Sequence, residues 1–269
     1  MRRLFRLGPA PLSGEPAHLV HLADRFAVVA KPAGLSLATS RREPGAAARR
    51  LVDALPHRER EALAGRELHL VHRLDEPTSG LVVVALDAAM HAELARAFAE
   101  RRVGKIYLAV VWGHPRPRAG AWDVPLAPDR RDRRRMRADP GGRPARSEWR
   151  VVATAPHVAL VALWPQSGRT HQLRVHLAHA GHPIVGDDLY GGPRHRAVRE
   201  RALRQALAVS RALLHAWRLE LPAVSPARFE APPPRDFERA CTAAGLALAA
   251  AEELWQSPAQ LEPARRTSA

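Results

Sequence analysis

The sequence predicts an α+β domain built on a largely antiparallel sheet. Short apolar runs such as LVVVAL (81–86) and KIYLAVVWG (105–113) have strand length and are valine-rich throughout, the mark of strands buried on both faces. Helical patterns fall between some of these runs but do not alternate with them regularly, which argues against a repeated βαβ wind. The 269 residues, 46% of them hydrophobic, suffice for one large domain or two small ones with a proper core. No internal repeat and no clear linker divides them.

From the N-terminus, HLVHLADRFAVVAKPAG (18–34) reads as strand, turn and strand, stopped by Pro32 and Gly34. Residues 45–66 are polar-rich and helical or loop-like. After the strand 81–86, Asp87 caps a helix whose Met90, Leu94 and Phe98 stand at i, i+4 and i+8, and Gly104 is expected to close it. Residues 114–146 hold many prolines and glycines and the run DRRDRRRMRADPGGRPAR, which predicts a solvated basic loop. SEWRVVAT and HVALVALW form a hairpin around Ala155 and Pro156, THQLRVHLAHAG (170–181) is helical up to Gly181, and ALLHAWRLELP (212–222) is a late strand. The division expected is an N-terminal extension 1–17, one folded domain 18–256 and a flexible tail 257–269.

Charge narrows the partner. A net charge of +15 and a pI of about 11.5 imply a polyanion, either nucleic acid or an anionic membrane surface. No apolar run approaches the roughly 18 residues of a membrane span, and the basic N-terminus lacks the apolar stretch of a secretion signal. The single cysteine, Cys241, excludes an internal disulfide and fits a reducing cytoplasm. The arginine-rich loop favours RNA as the partner. Lys31 and Lys105 are the only lysines among 42 basic residues, so both mark places where a compact ammonium suits better than a planar fork.

The chemistry concentrates in VHRLDEPTSGLVVVAL (71–86). Asp75 lies in a polar, turn-forming stretch directly before a buried strand, with Arg73 two residues away and Thr78, Ser79 and Gly80 supplying a tight turn. By physics alone the first reading of Asp75 is an ordinary turn cap. The wording of the segment resembles the H-R-L-D-x-x-T-S-G signature of the RluA-type family of RNA pseudouridine synthases. The likeness continues in order through VVAKPAGL (28–35), KIYLAVVWG (105–113), GRPARSEWRVV (142–152), SGRTHQLRVHLAHAGHPIVGDDLYG (167–191) and LLHAWRLELP (213–222), covering roughly residues 18–222.

The resemblance implies a single α+β catalytic domain around a long mixed, mainly antiparallel sheet, with RNA crossing a basic cleft. It implies an isomerase of uridine in ribosomal or transfer RNA, working without cofactor or metal, cytoplasmic and monomeric. The N1–C1′ bond breaks, the uracil rotates, and C5 joins C1′. By resemblance Asp75 is the catalytic carboxylate, acting by attack on C1′, addition to C6 or removal of the C2′ proton. Arg169 matches the position that pairs with it and holds it ionised. Tyr107 matches the tyrosine that stacks on the target base near C5, its phenolic oxygen a candidate for handling the C5 proton. Leu173 lines the pocket opposite. Arg73 fills the stack vacated by an extruded base or meets neighbouring phosphates, Thr78 belongs to the substrate turn, and Lys31 and Lys105 brace the site or touch RNA.

Two departures matter. Glu76 follows Asp75 where the family often has a basic residue, which bears on RNA contacts, and no extension is long enough for an S4-type RNA-binding domain. Other classes fit less well. His171, His176, His179 and His182 do not share a helical face with carboxylates, so no metal site is expected. A glycoside hydrolase needs a partner acid for Asp75. A non-catalytic RNA-binding or ribosome-assembly protein on the same fold is the remaining alternative.

Overall fold

A computed structural model describes residues 15–39, 43, 45–222, 224–251 and 254–255. The hairpin expected at 18–34 forms from β1 (His18–Leu22) and β2 (Phe26–Lys31), and residues 45–66 hold α1 (Ala46–Asp53) and α2 (His57–Glu61). Next come β3 (His69–Leu70), β4 (Ser79–Ala85) and α3 (Ala88–Ala99). The Asp87 side chain caps α3 by accepting the Met90 N–H at 2.7 Å. Gly104 does not close that helix. Arg101 takes the left-handed conformation there (φ 59°), Arg102 N–H reaches back to the Ala97 carbonyl, and Gly104 instead opens β5 (Gly104–Trp112).

Residues 114–146 are more ordered than a loop. They carry β6 (Ala119–Asp123), β7 (Leu126–Pro128) and β8 (Met136–Ala138). β6 is pinned to β9 (Arg146–Ala155), where Trp122 stacks on Trp149 at 5.0 Å, and β7 pairs with β8 over the buried Leu126. β10 (Val158–Pro165) and α4 (Gln172–His179) follow as expected. α5 (Arg201–Ala206), β11 (Leu214–Glu220), β12 (Arg228–Glu230) and α6 (Arg235–Ala244) come next; only β11 of these four was anticipated. Among the described residues no helix is long and apolar enough to cross a membrane. Residues 1–14 of the expected extension, and the expected tail, lie outside the described residues.

The main sheet runs β1-β2-β4-β11-β5-β10-β9-β6, with β3 also on β4 and β12 on β11. Every pair is antiparallel except β4 with β11, so the sheet is mixed and mainly antiparallel. The valine run is buried on both faces for a visible reason. Val82 and Val84 of β4, with Ala27 and Val29 of β2, pack against Leu51 and Val52 of α1. The alternate residues Leu81, Val83, Phe26 and Val28 pack against Met90 and Leu94 of α3. A third core joins β5, β9, β10 and β11 to α4 and α6.

The parallel contact is short, Ser79 opposite His215 and Ala216 opposite Gly80, and it sits where the 71–78 loop enters β4. Gly80 has φ 115°, and a Cβ there would lie 2.2 Å from the Ala216 carbonyl oxygen. Only glycine fits so close an approach. Late-chain β11 thereby lies between β4 and β5 and fixes the start of the strand that follows Asp75.

Candidate active site

The loop bearing Asp75 is held from every side. Before it, His72 Nε2 accepts the Val83 N–H at 3.1 Å and the ring stacks on Phe98 at 4.6 Å; burial pushes this imidazole down to about 3, so it stays neutral. After it, Thr78 N–H donates to the Asp75 carbonyl at 3.0 Å and closes the turn. Two buried basic side chains grip the next carbonyls. Lys31, 1% exposed, donates from Nζ to Pro32 O (2.8 Å), Leu35 O (3.0 Å) and Glu76 O (3.3 Å). Arg211, 2% exposed, reaches Pro77 O and Ser79 Oγ at 3.4 Å each while making a paired contact with Asp236 at 2.6 and 2.7 Å. Ser79 Oγ–H in turn donates to His215 Nδ1 at 2.9 Å, because His215 Nε2 must be the donor to the Ala231 carbonyl at 2.8 Å.

The opposite wall comes from the start of α4. Gln172 is buried, and its amide donates to Arg146 O and Ser147 Oγ while its Oε1 accepts from Ser167 Oγ–H and Arg169 N–H. This network fixes the 167–171 turn to β9. His171 stands at the helix entry in the left-handed conformation (φ 55°), at a cost of about 1 kcal/mol that the surroundings must hold. Arg174, one turn into α4, is 5% exposed and makes a paired contact with the buried Asp187 at 2.7 and 2.8 Å. Its other nitrogen, Nη1, lies 3.7 Å from Asp75 Oδ2, and His171 Nε2 lies 4.0 Å from the same oxygen.

Between these walls is a cleft of about 380 Å³, inside the roughly 300–1,000 Å³ usual for a small-molecule site. Arg73, Asp75, Thr78, Lys105, Tyr107, Arg169 and Leu173 all line it. The sequence-derived set thus converges in one place, with Lys31 outside it. Lys31 is directed into the protein under the Glu76 carbonyl, and its hydrogen bonds to three backbone carbonyls tie the segment after β2 to the Asp75 loop. Thr78 lines the cleft, but its hydroxyl oxygen is closed off from solvent, and its clear contribution is the backbone turn. Arg73 and Glu76 are exposed at the rim.

Arg169 does not pair with Asp75. Its guanidinium Nε donates to the Pro144 carbonyl at 3.2 Å, because the turn anchored by Gln172 directs it towards the 142–146 segment. The cation beside Asp75 is Arg174, which sequence reading missed although it lies in the same motif. The signal available was a charged residue flanked by Leu173, Val175 and Leu177 on a short apolar helix. Tyr107 also differs in one respect. Burial, with Asp75 adding to it, raises its phenol above the ordinary value, so at neutral pH the group is a hydrogen-bond donor and not a phenolate base. Burial lowers Lys105 to about 8, with Arg101 adding to the effect.

Comparison with known proteins gives this chain relatives. The RNA pseudouridylate synthase family matches over residues 25–179. An "Uncharacterized RNA pseudouridine synthase" of Chloroflexus aurantiacus is 43% identical over 214 residues, covering 77% of this chain and 63% of that protein. The "Dual-specificity RNA pseudouridine synthase RluA" of Pasteurella multocida is 36% identical over 203 residues, covering 74% of this chain and 89% of the relative. Among solved structures, "Human RNA Pseudouridylate Synthase Domain Containing 4" aligns at a TM-score of 0.66 and 27% identity, over 85% of this chain and 93% of that one. The chain therefore spans less than two thirds of the Chloroflexus relative.

Proposed function

Because the chain belongs to the RNA pseudouridylate synthase family, we propose that it converts uridine in ribosomal or transfer RNA to pseudouridine, with Asp75 as the reacting carboxylate. The observation that carries the reading is the meeting of Asp75, Arg174 and Tyr107 in one cleft. Each route open to Asp75 (attack on C1′, addition to C6 or removal of the C2′ proton) requires an ionised, oriented carboxylate, and the buried guanidinium of Arg174 favours that state. The Tyr107 ring and Leu173 flank the uracil, so the base stays held while N1–C1′ is broken and C5–C1′ is made. The C5 proton leaves and N1 gains one, so the reaction balances without oxidant, reductant or donor. In this reading Arg73, exposed at the cleft, meets the strand left behind when the target nucleotide is extruded. The arginines between β7 and β8, Arg130, Arg131, Arg133 and Arg134, are exposed and extend the positive surface for the RNA backbone.

The test is release of tritium from 5-labelled uridine in ribosomal and transfer RNA, followed by nucleoside analysis for pseudouridine. The wild-type chain should release tritium from at least one of the two RNAs, and Asp75→Asn should bind RNA normally and release none. RNA binding without release by the wild type would leave the chain a non-catalytic RNA-binding protein. An Asp75→Asn variant within about tenfold of wild type, less than about 1.4 kcal/mol in barrier, would remove Asp75 from the chemistry.

A further inference from the structure

Two nitrogen groups, not one, approach the Asp75 carboxylate, and both come nearest to Oδ2: Arg174 Nη1 at 3.7 Å and His171 Nε2 at 4.0 Å. An arginine is a fixed cation, but an imidazole has three states, and the partner of its far nitrogen decides which one it adopts. His171 Nδ1 lies 2.8 Å from the Tyr190 hydroxyl. That hydroxyl oxygen accepts the Met136 N–H at 2.8 Å, which leaves its own hydrogen available to Nδ1, and the Asp75 carboxylate facing Nε2 favours the imidazole hydrogen on that nitrogen. A neutral imidazole that accepts at Nδ1 carries its hydrogen on Nε2, the nitrogen facing Asp75.

The surroundings favour the neutral form. Burial lowers the His171 pKa, and Arg174 and Arg73 push the same way, while Asp75 and Asp187 oppose them. Tyr190 is itself fixed: Arg174 and Arg135 lie over its ring at 5.1 and 5.2 Å, and its backbone N–H donates to Asp187 at 3.3 Å. The left-handed backbone at His171 completes the placement, a conformation that a side-chain-bearing residue adopts only where its neighbours impose it.

We propose that His171 is a positioning residue for Asp75, locked by the Tyr190 hydroxyl as the neutral Nε2–H tautomer, so that imidazole and Arg174 hold Oδ2 and present Oδ1 to the nucleotide. The inference rests on the reading of Asp75 as the reacting carboxylate. Distances of 3.7 and 4.0 Å are longer than hydrogen bonds, and both contacts shorten when the nucleotide fills the cleft. Tyr190 thereby influences the reaction without touching substrate.

The experiment uses the full chain labelled with ¹⁵N-histidine, the His171 signals being assigned by their loss in H171Q. Long-range ¹H–¹⁵N spectra at pH 7.5 should show His171 as the Nε2–H tautomer, and in Tyr190→Phe that preference should vanish. With RNA as substrate, Tyr190→Phe should lower kcat about tenfold with KM within twofold. His171→Ala should lower kcat further, again with KM within about twofold. His171→Gln, whose amide N–H can replace Nε2–H, should recover part of that loss. An Nδ1–H tautomer in the wild type would overturn the proposal, and so would an unchanged kcat in His171→Ala or Tyr190→Phe. The spectra need no turnover. An Nε2–H wild type that isomerises no RNA would therefore sink the proposed activity and leave the tautomer lock standing, whereas an active enzyme with Nδ1–H would sink the lock alone.

Discussion

Arg174→Gln should damage stability and catalysis through different partners, and the two losses can be separated. On one side the guanidinium holds Asp187, a carboxylate 2% exposed, by contacts of 2.7 and 2.8 Å. Glutamine leaves that charge buried without its cation, which costs about 3–5 kcal/mol, a large part of the roughly 5–15 kcal/mol that holds an ordinary domain folded. On the other side Nη1 lies 3.7 Å from Asp75. Unit charges at that separation and an effective dielectric of 20 interact by about 4–5 kcal/mol. Water and substrate screen part of it, so a loss of ~2 kcal/mol, roughly 30-fold in kcat, is expected. The double variant Arg174→Gln/Asp187→Asn removes both buried charges. Its urea midpoint should return close to wild type while kcat stays roughly 30-fold down. Urea unfolding and pseudouridine formation at saturating RNA read the two effects separately. Recovery of wild-type kcat in the double variant would show that Arg174 serves only to keep the fold, and a loss in Arg169→Ala as large as in Arg174→Gln would refute the choice of cation.

Three further outcomes follow from particular groups. Tyr107→Phe should leave the shape of the activity profile below pH 9 unchanged, since the phenol is already held protonated by burial, whereas Tyr107→Ala should weaken RNA binding by ~1–3 kcal/mol; a limb that disappears in the phenylalanine variant would contradict this. His215 is buried and lowered to about 4, so between pH 6.5 and 4 the unfolded chain binds a proton that the native chain does not. Stability therefore falls as pH falls through that window, by about 3 kcal/mol for this group, and His215→Gln should flatten the pH dependence of the urea midpoint there; an unchanged slope would count against it. Arg133→Ala, in the exposed stretch between β7 and β8, should weaken RNA binding and reduce the salt slope by about one ion without changing kcat, and a filter-binding titration at several salt concentrations decides it.

How much could be read from the residues depended on how local the determinants were. The strand at 81–86, the Asp87 cap and the helix after it rest on nearest-neighbour patterns, and they form as the pattern says. The convergence of Asp75, Tyr107 and Leu173 on one cleft was legible only through motif resemblance, because they come from three separate segments. What escaped was direction. Arg169 and Arg174 lie five residues apart in one motif, and only the left-handed turn at His171 decides which one faces Asp75. Lys31 stands out in the sequence as one of only two lysines, but the sequence does not tell that its Nζ turns under the loop to the Pro32 and Glu76 carbonyls. The ordered strands within 114–146 were hidden because they are short and proline- and glycine-rich, and because the Trp122–Trp149 contact that stabilises β6 joins distant positions. α6 was legible in principle: Phe237, Ala240, Cys241 and Ala244 repeat at helical spacing and are buried.

The placement of β11 between β4 and β5 has a consequence for how the chain is made. Ser79 and His215, which meet at the parallel contact, are 136 residues apart. At about 5–20 residues per second a translating ribosome needs roughly 7–27 s to deliver the second after the first. For that interval β5 keeps a bare hydrogen-bonding edge and β4, whose far half is already covered by β3, keeps an open start, so the nascent chain presents both to any other strand nearby. The Asp75 loop is synthesised early but is clamped late, when Arg211 and β11 arrive. No fragment ending before about residue 214 should catalyse anything, however well its first half is folded, and slowing translation should lengthen its dependence on chaperones.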